Sequence, residues 1–410
     1  MNRIEKMINE LCPNGVVYIK INEVAEVGTG SSNGNEAIED GIYPFFIRSQ
    51  EIKFKNEYEF NEEAITIPGE GGVGDIFHYI NGKYALHQRV YRIHFVDNRI
   101  NTKFVYHYMK ANFKSFILKK AVSATVTSIR KPMIQDFEIP VPPLPIQKEI
   151  VRILDNFTEL TAELTAELQD RKKQYEYYRD TLLTFNNDIK RVKLKDIAIS
   201  MFRGSGITRD QVTEIGYPCV RYGEIYTTYN TYFDKCVSHT KLEEIINPKF
   251  IEYGDLLFAI TGESIEDIGK TIAYVGKDKC LVGGDILVMR HNQNPKYLSY
   301  ALATKDAVEQ KGKGKVKSKV VHTNAESIGN IEIYLPSIEI QERIVNVLDN
   351  FEKICNDLKI GLPAEIELRK KQYEYYRDML LTFHENDLCL SKQASKQASK
   401  QASKATITMK

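Results

Sequence analysis

The chain is 410 residues long, 27% charged and 42% hydrophobic, with a formal net charge of +1, so more than one core is expected, and any nucleic-acid role must rest on local charge. No apolar run approaches the roughly 18 residues that span a bilayer, and the start, Met1-Asn-Arg-Ile-Glu-Lys6, lacks the apolar stretch of a signal peptide. Cys12, Cys219, Cys236, Cys280, Cys355 and Cys389 are scattered without a C-x-x-C pair, which argues against a disulfide framework or a zinc site and for a reduced cytosol.

In chain order, residues 1–140 read as a first module of short strands and brief helices. Ala64–Ile67 and Tyr91–Phe95 carry β-branched and aromatic runs typical of strands, and 104–119 reads as a helix. Between those strands, Gly69-Glu-Gly-Gly-Val-Gly74 reads as a β-turn or a loop apposed to DNA; a lone glycine run is weak evidence for a cofactor cradle. After Pro142, Pro143 and Pro145, apolar residues fall at 146, 150, 153, 154, 157, 160, 164, 168, 175, 178, 182 and 185. That three-and-four spacing is a helix with one long seam, and positions 145–185 would span about 60 Å. This central helical stretch, 141–188, leads into a second module, 189–335, with expected strands Asp255–Ile260 and Ile286–Met289 and an expected helix over 296–309. A second helical stretch occupies 336–387; Gly361-Leu-Pro363 interrupts it, with Pro363 placed to start a new segment. From Ser391 to Lys404 the unit Ser-Lys-Gln-Ala repeats, so 388–410 reads as a low-complexity tail, disordered or a weak solvated helix.

Self-similarity decides the architecture. Arg171-Lys-Lys-Gln-Tyr-Glu-Tyr-Tyr-Arg-Asp-Thr-Leu-Leu-Thr-Phe185 recurs at Arg369–Phe383 with only Thr181 replaced, by Met379. Ile146-Gln-Lys-Glu-Ile-Val-Arg-Ile-Leu-Asp-Asn-Phe157 matches Ile340-Gln-Glu-Arg-Ile-Val-Asn-Val-Leu-Asp-Asn-Phe351. Weaker echoes link Ile19–Ala25 with Val192–Ala198, Tyr43-Pro44 with Tyr217-Pro218, and Phe137-Glu-Ile139 with Ile331-Glu-Ile333. The order is module, helix, module, helix. The helices repeat almost letter for letter, whereas the modules share framework positions only. The expected fold is therefore mixed α/β (α+β): two tandem modules separated by long antiparallel coiled-coil helices, with a pseudo-twofold internal repeat. The competing reading is that the helices are plain core.

Four features carry a family resemblance: the two R-K-K-Q-Y-E-Y-Y-R-D-x-L-L-T-F copies, Gly361-Leu-Pro-Ala-Glu-Ile366, the Pro143-Leu-Pro-Ile-Gln147 turn, and the tandem Thr161-Ala-Glu-Leu164 and Thr165-Ala-Glu-Leu168. Together they resemble the specificity subunits of type I restriction–modification enzymes, over the chain to about residue 387, and within these the subfamily with Thr-Ala-Glu-Leu repeats in the central helix. The resemblance implies two target-recognition domains, each reading one half of an interrupted sequence in double-stranded DNA through the major groove. It implies helices that set the unread gap and dock two methyltransferase subunits, and restriction subunits through those. S-adenosylmethionine, ATP and Mg would then be bound by partner subunits, and this chain would have no cofactor, metal or catalytic centre of its own and no membrane association, and would be cytoplasmic.

Base readout requires Arg, Lys, Gln, Asn, Ser or Thr on loops that enter a groove, while phosphates attract positive charge. In the first module the candidates are Arg48-Ser49-Gln50 after the Tyr-Pro strand start, Gln88-Arg89, and Thr127, Ser128, Arg130 and Lys131 in a polar-basic loop. In the second they are Arg221-Tyr222 and a run with no acid between, Lys311, Lys313, Lys315, Lys317, Ser318 and Lys319. As an extended strand its odd positions would form a phosphate-facing ridge; a solvated flexible loop is the alternative. Arg48 and Arg221 read equally as salt-bridged framework residues. Lys83 reads as an ordinary surface lysine. Arg171, Lys172, Lys173, Arg369, Lys370 and Lys371 are candidates for partner docking or for a solvated basic face, and Tyr175, Tyr178, Tyr373 and Tyr376 for seam packing.

Enzyme readings fare poorly. No Asn/Asp-Pro-Pro-Tyr/Phe loop is present. Gly262 to Lys270 has six residues between its glycines, where a phosphate-wrapping loop needs four. Asp75, Glu263, Glu266 and Asp267 lack the spacing of a nuclease centre, and His78 and His107 read as structural. The alternative from another class is a stand-alone DNA-binding or coiled-coil adaptor.

Overall fold

The computed structural model describes residues 3–120, 128–186, 189–265, 267–313, 321–356 and 361–384. The chain divides into two compact units: residues 1–163 with 366–410, and residues 164–365. Each combines one module with segments of two different helical stretches. The low-complexity tail lies outside the described residues.

In the first unit, six strands lie in the order Ala25–Thr29, Val90–Phe95, Phe60–Pro68, His78–Leu86, Tyr43–Phe46, Lys53–Lys55. Pairing is antiparallel except that Tyr43–Phe46 runs parallel to the end of His78–Leu86, with Phe45 opposite Ala85 and Phe46 opposite Leu86. Phe60–Pro68 shows why the sheet is central. Its Ile65 and Ile67 face a core with Phe104, Met109 and Phe113 of the helix Thr102–Lys120. Ala64, one register step away, faces a smaller cluster of Phe46, Tyr84, Leu86 and Val90. Period-two alternation thus supplies both faces. The expected strands and the expected helix 104–119 all lie within these longer elements.

The second unit repeats this frame in two sheets. One has the order Ala198–Arg203, Ile286–His291, Leu256–Ala259, Thr271–Tyr274, Tyr232–Phe233; the other has Val212–Thr213, Ser238–Thr240, Tyr217–Val220, Cys280–Val282, Phe250–Ile251. Where the first unit uses a single strand, His78–Leu86, the second has Thr271–Tyr274 and then Cys280–Val282. The parallel partnership is retained, with Cys219 opposite Leu281 and Val220 opposite Val282. The single helix expected over 296–309 is instead two, Pro295–Ala301 and Lys305–Gly312. Thr304 makes the break, because its side-chain oxygen accepts the Ala307 N–H and caps a new start.

The weak sequence echoes mark one recurring joint. Val17–Lys20 pairs antiparallel with Glu138–Val141, and Arg191–Lys193 pairs the same way with Glu332–Tyr334. Each first strand runs into a four-residue helical turn whose leading residue, Ile21 or Leu194, is fully buried. The Ile21 N–H donates to Phe137 O and the Leu194 N–H to Ile331 O, both at 3.0 Å.

The helical repeats seat the modules. The central helix runs Leu144–Leu182, 39 residues or about 58 Å, and its first part, to Glu163, belongs to the first unit. There it packs antiparallel to the helix Leu362–Leu380: Phe157 stacks on Tyr376 at 5.3 Å, while Val16 N–H donates to His384 O beside the joint. In the second unit the later part of the central helix packs antiparallel to Ile338–Asn356, with Tyr178 on Phe351 at 5.4 Å and Phe185 against Tyr334 at 5.7 Å. Tyr175 and Tyr373 are packed against the respective cores, so all four tyrosines serve the seams. Leu362–Leu380 carries Pro363 in its first turn, where a missing N–H costs nothing.

Two side chains per helix clasp the module to its stem. Gln147 is fully buried; its Oε1 accepts the Asn101 N–H at 2.8 Å and its Nε2 donates to the carbonyls of Arg99 (2.8 Å) and Pro142 (2.6 Å). Gln341 repeats this with the Asn294 N–H at 3.1 Å and the Pro336 carbonyl at 2.9 Å. About two turns further on, Asp155 takes Lys103 at 2.7 Å and His107 at 3.0 Å; Asp349 takes Lys296 at 2.7 Å and Tyr300 at 2.8 Å. Burial holds His107 below its usual pKa, so the neutral ring donates this bond. The recurring Leu-Asp-Asn-Phe is thereby explained at two of its positions: the Asp is a latch and the Phe is the stacking partner. No helix among the described residues is long and apolar enough to cross a membrane.

Candidate nucleic-acid interface

Three segments distant in sequence meet at one end of the first module. The strand Phe60–Pro68 ends in Gly69-Glu70, and Glu70 bridges to Ser128. The Gly69 N–H donates to Arg89 O at 2.9 Å, and the Ile129 N–H donates to Gly69 O at 2.7 Å. Gly71, Gly72 and Gly74 then take φ of +75°, +71° and +75°, a left-handed run that side chains disfavour, so the glycine stretch is a tight turn at this site. Arg48 approaches from the segment after Tyr43–Phe46, and Arg89 from the hairpin before Val90–Phe95. Both donate Nη1 to Glu70 Oε2, at 3.2 and 2.8 Å. The two guanidiniums, Arg89 foremost, hold the Glu70 carboxyl below the usual carboxylate range.

The structure brings Arg48, Ser49, Gln88, Arg89 and Ser128 into this cluster. The Ser49 carbonyl lies 3.2 Å from His78 Nε2, and burial keeps that ring below its usual pKa. Gln88 Nε2 donates to Asn33 Oδ1 at 2.6 Å, while its backbone N–H donates to Ser32 O. Gln50 is exposed beside Ser49. Arg130 and Lys131 are exposed at the start of the short helix Lys131–Gln135. Thr127 lies outside the described residues. Lys83 sits 4.6 Å over the Tyr58 ring.

The second module places matching segments around an open groove of about 660 Å³ bounded by Arg203, Thr208, Arg209, Arg221, Tyr222 and Asp285. Arg203 Nη2 donates to Asp285 Oδ1 at 2.7 Å. Arg221 Nε donates to Glu224 Oε1 at 3.1 Å, and that same carboxylate, itself buried, accepts from Ser238 Oγ. Arg221 is therefore salt-bridged to the framework while it also lines the groove. Tyr222 is exposed at the start of the helix Tyr222–Thr227.

The lysine run needs one correction. Lys311 closes the helix Lys305–Gly312 and is only 6% exposed, donating to Leu302 O at 2.7 Å and Thr271 Oγ1 at 3.1 Å. Burial pushes its ammonium down to about 7. Thr304 starts that extra helix, which turns Lys311 inward and removes it from any phosphate-facing ridge. Lys313 is exposed, and Lys315, Lys317, Ser318 and Lys319 lie outside the described residues.

The helical basic residues are mostly solvent-facing. Arg171 reaches Glu167 and Gln174, Lys173 lies 3.5 Å from Asp170, Lys371 lies 3.6 Å from Glu367, Arg369 bonds Gln372, and Lys172 and Lys370 are exposed. Among the acids that a cleavage centre would need, Asp75 pairs with Lys114 at 2.7 Å and Asp267 bonds Ser264; Glu263 is exposed and Glu266 is outside the described residues. Among the described residues no group of three His, Cys, Asp or Glu side chains is disposed to hold a metal. Thr261-Gly262 is a strand paired with Val321-His322, not a phosphate loop. Sequence reasoning did not single out Glu70, Asn33, Arg203 or Asp285 as site residues.

Residues 13–171 and 186–368 match the family described as the type I restriction modification DNA specificity domain. The chain is 31% identical over 307 residues to the specificity subunit of the type I restriction enzyme EcoR124I/EcoR124II of Escherichia coli, covering 70% of this chain and 72% of that one. A chain from a structure of type I restriction–modification complex assembly and conformational transition has a similar fold, with a TM-score of 0.60 at 13% identity over 90% of this chain and 98% of its own. The S subunit from M. genitalium gives 0.51 at 15% identity, over 89% of this chain and 94% of its own. Two matched stretches, each holding one copy of the same joint, clasp and arginine-bearing loops, establish that the chain belongs to the type I restriction–modification DNA specificity family.

Proposed function

We propose that this chain is the non-catalytic specificity subunit of a cytoplasmic type I restriction–modification complex. Its two target-recognition domains, 1–140 and 189–335, each read one half of a bipartite site in double-stranded DNA. Two methyltransferase subunits dock on the helical stretches 141–188 and 336–387, with Arg171, Lys172, Lys173, Arg369, Lys370 and Lys371 as contacts, and restriction subunits join through them. S-adenosylmethionine, ATP and Mg belong to those partners. The observation that carries this reading is the duplicated convergence of guanidinium and hydroxyl groups on corresponding loops, groups that discriminate base edges.

The central helix belongs to the subfamily in which Thr-Ala-Glu-Leu units set the gap. The division between the two compact units falls at Glu163/Leu164, inside the tandem repeat. Deleting Thr165–Leu168 shortens the helix by about 6 Å and rotates its downstream part by about 40°. With base pairs roughly 3.4 Å apart, the unread gap is expected to shrink by about one or two base pairs while both half-sites stay the same. Methylation sequencing of cells carrying the shortened chain reads this directly; an unchanged gap with full activity would contradict the spacer role.

A further inference from the structure

Glu70 is fixed from several directions. Its neighbour Gly69 is bonded to Arg89 O and Ile129 N, it bridges Ser128, and a Cβ on Gly71 would lie 3.5 Å from Arg48 O. A single oxygen, Oε2, takes one donor from each of two arginines that arrive on separate segments. Without that carboxylate, two like charges so close would repel and separate. Glu70 uses one Nη1 donor from each arginine, which leaves Nε and Nη2 for a ligand, a donor pair suited to guanine O6 and N7. The side chains are 45%, 58% and 43% exposed for Arg48, Arg89 and Glu70, so the clamp faces outward.

The second module has the same backbone but not the clamp. There the Ile260 N–H donates to Asp285 O, and the Thr323 N–H to Ile260 O, as Gly69 and Ile129 do in the first. Thr261 opposite His322 takes the place of Glu70 opposite Ser128, and Asp285 takes that of Arg89. The acid has moved from the strand end to the hairpin, where it holds Arg203 instead. Since the frame folds without an acid at Glu70's place, the frame does not explain the clamp.

We infer that Glu70 is a specificity-determining positioning residue: it holds Arg48 and Arg89 as readers of guanine in the half-site of the first module, and keeps them from acting as free phosphate binders. This rests on the reading of that module as a DNA-recognition domain. One anion against two cations lowers the pull toward phosphates, and holding the guanidiniums in place reduces the ordering that binding must impose.

The test is Glu70→Gln in the full chain assembled with its methyltransferase partners, with Arg48→Ala and Arg89→Ala in parallel. Methylated sites are sequenced, and binding to specific and unrelated duplexes is followed against salt. For Glu70→Gln, one or more G·C positions in one half should accept other bases while the other half stays strict, which also reports correct folding. Binding to unrelated DNA should tighten, with the slope of log K against log salt steeper by about 1. If the arginine variants relax one half but Glu70→Gln leaves motif and slope unchanged, the clamp idea fails and the recognition reading stands. If Glu70→Gln loses both halves together, Glu70 is merely structural and the inference is overturned. If neither arginine variant alters the motif, the reading surface itself is misassigned and the inference falls with it.

Discussion

A Gly30→Ala chain is expected to lose discrimination in one half of its target and keep it in the other. Gly30 follows the strand Ala25–Thr29, and a Cβ there would overlap the Leu86 carbonyl and come 2.7 Å from Leu86 Cβ. Backbone cannot yield as a flexible side chain does, so either the strand end or the hairpin after Leu86 must move. That hairpin carries Gln88 and Arg89, and it is stitched to the strand end by Gln88 N–H to Ser32 O at 2.9 Å. Overpacking of this kind costs about 1–3 kcal/mol or more. Each well-placed base contact is worth about 1–3 kcal/mol of discrimination, so losing two would weaken selection by roughly 30-fold or more. Gly204 is the matching residue in the second module, where a Cβ would overlap the Gly283 carbonyl, so Gly204→Ala should relax the opposite half. Binding to duplexes substituted in one half at a time distinguishes the two; if both variants affect the same half, the modules are not independent readers.

Asp349→Ala should destabilise the second unit by about 1.5–3 kcal/mol, the range for a hydrogen bond to a charged group in a part-buried pair. Its carboxylate receives Lys296 at 2.7 Å and the buried Tyr300 hydroxyl at 2.8 Å, and its side chain is 16% exposed. Alanine leaves the Lys296 ammonium without its carboxylate, while the Tyr300 hydroxyl keeps Glu352 Oε2 at 2.6 Å. Asp155, the matching residue, has a side chain 31% exposed and pairs with Lys103, whose charge solvent screens more. The expected order in urea unfolding of the full chain, followed by a probe in each unit, is therefore Asp349→Ala worse than Asp155→Ala. Equal or reversed losses would show that burial does not set the strength of these latches.

The parts legible in the sequence are those that depend on local pattern. A near-identical helical repeat, a three-and-four seam and the alternation in Phe60–Pro68 declare themselves because the residues involved are neighbours along the chain. The echoes at Ile19–Ala25 and Val192–Ala198 located the joints without saying that Phe137 and Ile331 carbonyls hold them. The features that the sequence hid are made by sheet order. Glu70 lies 22 residues from Arg48 and 19 from Arg89, and only the placing of Phe60–Pro68 next to Val90–Phe95 and of Tyr43–Phe46 beside His78–Leu86 joins them. Thr304 was hidden for another reason: a single capping side chain overrode a continuous helical pattern, and with it the inward turn of Lys311 went unseen. Gln147 and Gln341 stood in plain view within a repeated motif, yet all their partners but the Gln293 side chain are backbone groups, which leave no mark in a sequence.

The most direct test is sequencing of adenine methylation in otherwise identical cells with and without this gene, with co-purification of the tagged chain. Loss of methylation at one motif made of two short halves around a fixed gap, and recovery of a methyltransferase with the chain, is the predicted result. A chain that purifies alone and whose deletion leaves every methylated site in place would contradict the specificity role.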